Sequence, residues 1–87
     1  MTDREWETHA RAWAEQAAGN VNRWGDQSVE TLLLATQEEL GELAQAHLEA
    51  RDEDGDRERV ADELDDLAAL TFQLRWSIEA GDWTDKQ

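Results

Sequence analysis

Residues 29 to 51 read VETLLLATQEELGELAQAHLEAR. The stretch has no proline and a single glycine, and it is built mainly from Ala, Leu, Glu and Gln, all good helix formers. Ser28 followed by Glu30 gives it an N-terminus, since a serine hydroxyl accepts from the first free amides and an acid in the first turn meets the positive end of the helix. The spacing therefore predicts a helix from about Val29 to Arg51. At about 100° per residue, the face centred on Glu39 also carries Leu32, Ala35, Leu43, Ala46 and Ala50, with Glu42 about 60° to one side. A carboxylate thus points where the apolar core belongs.

Two further helices are predicted around this one. The stretch TDREWETHARAWAEQAAG opens with the capping box Thr2-x-x-Glu5, runs Trp6, Ala10, Trp13, Ala17 at helical spacing and meets Gly19-Asn20 as a stop signal. The polar segment NVNRWGDQ reads as a loop. After the second helix the acidic run DEDGD breaks the pattern around Gly55. Asp56 then caps a third helix, with Val60, Leu64, Leu67, Thr71, Leu74 and Ile78 at alternating four- and three-residue steps, ending near Gly81. DWTDKQ follows as a tail anchored by Trp83. The acidic run does not fit a calcium loop, because Gly55 misses the sixth position of a frame starting at Asp52. The expected fold is all-α, a single domain over 1–87 with three main helices per chain. A chain of 87 residues buries a limited core, so oligomerisation is expected to complete the bundle.

With 22 Asp+Glu against 8 Lys+Arg, the formal net charge is −14. Nucleic acid backbones and anionic membranes carry the same sign and are repelled, which argues against both as partners. Seven of the eight basic residues are Arg and Lys86 is the one lysine. The acid excess exceeds what one site needs and reads as a solvating surface suited to high salt. Absence of cysteine excludes disulfides and thiolate metal sites, and no window reads as a signal peptide or membrane span, so a soluble cytoplasmic protein is expected.

The third helix repeats the anomaly of the second. Glu63 lies between Val60, Leu67, Leu70 and Leu74, and Asp66 is offset from it as Glu42 is from Glu39. A single such acid more often skirts a core and reaches water along its stem. Two acid-x-x-acid pairs on facing helices need a cation, because a buried unpaired carboxylate costs several kcal/mol or takes up a proton. Four carboxylates suit a hard divalent ion with oxygen ligands, Mg²⁺ or Mn²⁺. A carboxylate-bridged di-iron site would require Glu-x-x-His on two helices, and neither His9 nor His47 has Glu three residues before it. His9 reads as a surface or boundary residue and His47 as packing. Asp62 and Asp65 point away from the acidic face and read as solvated.

Glu38-Glu39-x-x-Glu42, followed after twenty intervening residues by Glu63-x-x-Asp66, resembles the EExxE…ExxD signature of the MazG-like all-α nucleoside triphosphate pyrophosphohydrolases. RWGDQ, EELGELAQA and DELDDLAAL resemble flanking segments of that family, so the likeness covers about residues 20 to 75. It implies Mg²⁺-dependent hydrolysis of an NTP or dNTP to the monophosphate and pyrophosphate, with water attacking the α-phosphorus. It implies metal ligation by Glu39, Glu42, Glu63 and Asp66. Glu38 becomes a candidate to orient or deprotonate the water or support a second metal, with an exposed helix glutamate as the plain alternative. Trp24 matches a position where an aromatic lies against the base, or else pins the loop to the bundle. Arg59, one turn before Glu63, is a phosphate candidate whose plain alternative is an i,i+4 ion pair with Glu63. Arg75 and the loop's Arg23 are weaker candidates, and Trp6, Trp13, Trp76 and Trp83 read as packing.

Many family members continue into another helix that helps close the site, whereas this sequence stops shortly after Trp83. The lysine or asparagine that often follows the second motif has no clear counterpart here. A homodimer or homotetramer, with the neighbouring copy completing the nucleotide pocket, is the assembly expected. The competing expectation is a non-catalytic metal- and nucleotide-binding helical dimerisation module.

Overall fold

The computed structural model describes residues 1–52 and 55–80, and these form three helices: α1 (Asp3–Trp24), α2 (Val29–Arg51) and α3 (Arg57–Ala80). No other regular element occurs among the described residues, so the fold is all-α. The tail carrying Trp83 and the expected stop at Gly81 lie outside the described residues.

Local chemistry sets most boundaries where the sequence puts them. Thr2 and Glu5 form the reciprocal capping box of α1, with the Thr2 hydroxyl accepting from the Glu5 amide and the Glu5 carboxylate accepting from the Thr2 amide, both at 3.2 Å. Ser28 accepts from the Thr31 amide at 3.1 Å and starts α2 at Val29, as expected. Asp56 accepts from the Glu58 amide at 2.9 Å and starts α3.

The end of α1 differs. The helix passes through Gly19-Asn20 and stops only after Trp24, where Gly25 takes φ 79°, a left-handed backbone region open to glycine. An exposed glycine costs a helix about 1 kcal/mol relative to alanine, a weak stop. Here Asn20 contributes a bond instead: its side-chain amide donates to the Gln73 carbonyl oxygen at 2.9 Å, tying α1 to α3. NVNRWGDQ is therefore mostly helix, and Arg23 and Trp24 belong to α1 rather than to a loop.

The helices pack in the spatial order α1, α3, α2. Among the described residues α3 contacts both neighbours and α1 and α2 do not pack on each other. The extents are 47 × 32 × 19 Å, so the chain folds as a layer of helices around a thin core. Ala17, Val29, Leu32, Ala46 and Ala69 are the buried apolar residues, and Leu32 is the one large side chain among them that is fully enclosed.

The third helix buries a different line from the one its leucines suggest. Ala69, Gln73 and Ser77, four residues apart, are buried, while Leu64, Thr71 and Ile78 are exposed and Leu67 and Leu74 half-buried. Two of these side chains bond outside α3: Gln73 Oε1 accepts from the Asn20 amide of α1, and Ser77 donates to the Gln27 carbonyl, in the connection before α2, at 3.1 Å. Trp6 and Trp76, expected to pack, are 61 % and 51 % exposed, and His47 is exposed as well. Trp13 is half-buried against the edge of Phe72 and stacked on the exposed His9.

Candidate metal centre

The acids on α2 and α3 meet across the helix interface. Glu39, Glu63 and Asp66 each place one carboxylate oxygen within 4.8 Å of the others, the one such group of potential ligands among the described residues. Glu39 and Glu63 are half-buried and Asp66 is exposed, so the cluster opens to solvent on the Asp66 side.

Glu39 is the electrostatic centre of this group. Burial, then the charges of Glu42, Asp66 and Glu63, and finally a side-chain hydrogen bond with Glu63 push its pKa from the ordinary 4.5 up to about 7. Its Oε2 atom is buried with no hydrogen-bond partner, as is the hydroxyl of Thr36 one turn earlier on the same helix. Such orphaned acceptors are rare in folded proteins. A carboxylate crowded by like charge, with one buried oxygen that no donor meets, is suited to a cation. Three carboxylate oxygens at this spacing, one of them on a residue open to water, form a group that could hold a hard metal ion.

Of the four expected ligands, the structure therefore brings three together. Glu42 is exposed and lies outside the group, and it acts on the site through its charge on Glu39. Glu38 is exposed on α2 and likewise outside the group.

Helix α1 contributes groups that the sequence pattern hid. Gln16 donates its side-chain amide to Asp66 Oδ1 at 2.7 Å, which holds the Asp66 carboxylate in place from α1. Trp13 donates its indole N–H to Asp65 Oδ1 at 2.8 Å, so Asp65 is half-buried and bonded rather than solvated. Trp13, Gln16, Asn20 and Trp24 fall on one helical face, and this alignment exists only because α1 continues past Gly19. Reading the glycine as a stop removed the last turn of that face.

A cleft of about 230 Å³ borders the acids, lined by Gln16, Asn20, Trp24, Glu39, Asp66 and Leu70. Trp24 is 60 % exposed, so it does not pin the chain to the bundle, and the Arg23 guanidinium lies 5.1 Å from its ring centroid. Arg59 is placed differently from either expectation: it pairs with Glu49 of α2 rather than with Glu63. Glu49 in turn has its pKa lowered by hydrogen bonds from Gln45 and Arg59 and by the Arg59 charge. Arg75 pairs with Glu79 one turn on, and among the described residues no basic side chain lines the cleft.

Compared with known proteins, the chain matches no family model, no curated protein and no solved structure. The geometry of the site carries the functional argument.

Proposed function

We propose that this protein is a Mg²⁺-dependent nucleoside triphosphate pyrophosphohydrolase, cleaving the α-β phosphoanhydride of an NTP or dNTP to give the monophosphate and pyrophosphate. The observation that carries the reading is the convergence of Glu39, Glu63 and Asp66, with the buried Oε2 of Glu39 unpartnered, beside a cleft that presents an exposed tryptophan. Glu39, Glu63 and Asp66 would hold the ion, with Mn²⁺ as a substitute, and Glu42 joins them through charge or as a further ligand. When bound, the metal neutralises polyphosphate charge and lowers the pKa of coordinated water.

The chain's own residues supply the rest. Gln16 holds Asp66 in place, Trp24 offers a π-face to the base, and Leu70 limits water on the α3 side of the cleft. Glu38 is assigned to the attacking water, from the exposed side of α2. Arg59 is held by Glu49, so phosphate recognition rests chiefly on the metal.

One rival is a module that binds metal and nucleotide without turnover, favoured by the pairing of Arg59 with Glu49 and of Arg75 with Glu79. Incubation with Mg²⁺ and a panel of NTPs and dNTPs separates the two. Pyrophosphate release by the parent chain, lost in Glu39→Gln, is expected of the enzyme; nucleotide binding with no pyrophosphate from any member of the panel would sink it. A homo-oligomer and a cytoplasmic setting complete the proposal. No described helix is long and apolar enough to cross a membrane.

A further inference from the structure

Helix α2 is apolar on two sides. One side packs on α3 through Val29, Leu32 and Ala46. Roughly 90° to 170° around the helix lie Leu33, Leu34, Leu40 and Leu48, exposed at 52, 63, 54 and 46 %. Gln37, Gly41 and Ala44 fall between them, so from Leu33 to Leu48 this outward face carries no charge. Charged residues make up 34 % of the chain, and so long a neutral strip is not the ordinary surface of this protein. A second apolar face on a helix whose first is already packed marks a surface for a partner.

Gly41 adds an independent observation. It sits in the middle of α2, where glycine is a poor helix former, yet a Cβ built there would meet nothing within 4 Å in the chain. The open space over this glycine leaves room for another helix to come close to the outward face.

The pattern also names its occupant. Reversed about the midpoint between Leu40 and Gly41, Leu33 falls level with Leu48, Leu34 with the exposed His47, Gln37 with Ala44 and Leu40 with Gly41, so no acid meets an acid along the strip. At the two ends Glu30 falls opposite Arg51, acid to base. An isologous two-fold interface requires such self-complementarity, and the end charges favour the antiparallel direction over the parallel one. We propose that a second copy of this chain docks antiparallel on the outward face of α2, forming a two-fold seam centred between Leu40 and Gly41. The seam lies on the side of α2 away from Glu39 and does not depend on the metal reading.

The test uses the full chain, which has no native cysteine. Sedimentation equilibrium at micromolar concentration reads the assembly, and disulfide trapping under a mild oxidant reads its direction. In the antiparallel seam, Leu33→Cys of one chain meets Leu48→Cys of the other. Two copies of Leu33→Cys are then separated by fifteen residues of rise, roughly 22 Å, which no disulfide spans. The expected result is a dimer in which a mixture of the two variants cross-links and neither variant cross-links with itself. A chain that remains monomeric, leaving the face to a different protein, overturns the proposal, and so does a dimer that cross-links through like positions.

Discussion

Gln16 of α1 and Asp66 of α3, fifty residues apart in sequence, are joined by a 2.7 Å hydrogen bond from amide to carboxylate. The bond couples the packing of α1 to the orientation of a proposed metal ligand on another helix. Groups that hold a ligand from behind commonly change metal affinity by ten- to a hundredfold when removed.

Gln16→Ala is accordingly expected to weaken Mg²⁺ binding roughly tenfold by calorimetry while leaving helix content unchanged. Gln16→Glu should do more damage, placing a further negative charge against Asp66. Unaltered affinity in both variants would mean that Asp66 needs no such support.

The acid cluster makes a signed prediction for pH. The folded-state pKa of Glu39 is raised to about 7 from an ordinary 4.5, so without metal the folded chain holds a proton that the unfolded chain has released. Stability should therefore fall as pH rises from about 4.5 to about 7, and this contribution should then level off. Glu39→Gln removes the effect. At pH 8, without metal, it should be more stable than the parent by roughly 1–2 kcal/mol after allowance for solvent screening, with little difference at pH 5. Magnesium should raise the melting temperature of the parent more at pH 8 than at pH 5.5, because the ion displaces the Glu39 proton, and should leave Glu39→Gln nearly unmoved. Thermal melts with and without MgCl₂ at the two pH values check each arm.

Much of this site can be read from the sequence because carboxylates at core positions of two helices are conspicuous against a helical period. Glu39, Glu63 and Asp66 stand out in that way, and the bounds of α2 follow from Ser28 and the uninterrupted run after it. The contribution of α1 was hidden by a glycine. Gly19 looks like a terminator in isolation, and the Asn20–Gln73 bond that sustains the helix joins residues 53 positions apart. The packing line of α3 was hidden for another reason. Ala69, Gln73 and Ser77 fall outside the leucine series, and the bonds that tie this line to α1 and to the connection before α2 join residues fifty or more positions apart. The leucines left outside belong, on the reading above, to an assembly.

Trp24 separates nucleotide binding from metal binding. Trp24→Ala is expected to weaken nucleotide binding by about 1–3 kcal/mol, read as a rise in KM of roughly 5- to 150-fold, with Mg²⁺ affinity retained. Trp24→Phe should recover most of the loss. Since the side chain is largely exposed, the melting temperature should move little, and a large drop would assign Trp24 a structural role instead.

Salt should stabilise the protein. A formal net charge of −14 on an 87-residue chain opposes the compact state, and ions screen that repulsion over distances of about 10 Å at 0.1 M. The melting temperature is expected to climb as KCl is raised from low ionic strength to 1 M. A flat or falling curve would contradict an acidic surface suited to high salt.

The position at which water attacks the nucleotide tests the proposed reaction most directly. Hydrolysis of an NTP in ¹⁸O-labelled water with Mg²⁺, followed by phosphorus NMR, reads the position of the label. Attack at the α-phosphorus predicts pyrophosphate as the co-product, with ¹⁸O in the monophosphate and none in pyrophosphate. Label in pyrophosphate, release of orthophosphate in its place, or no turnover of any nucleotide would contradict the assignment.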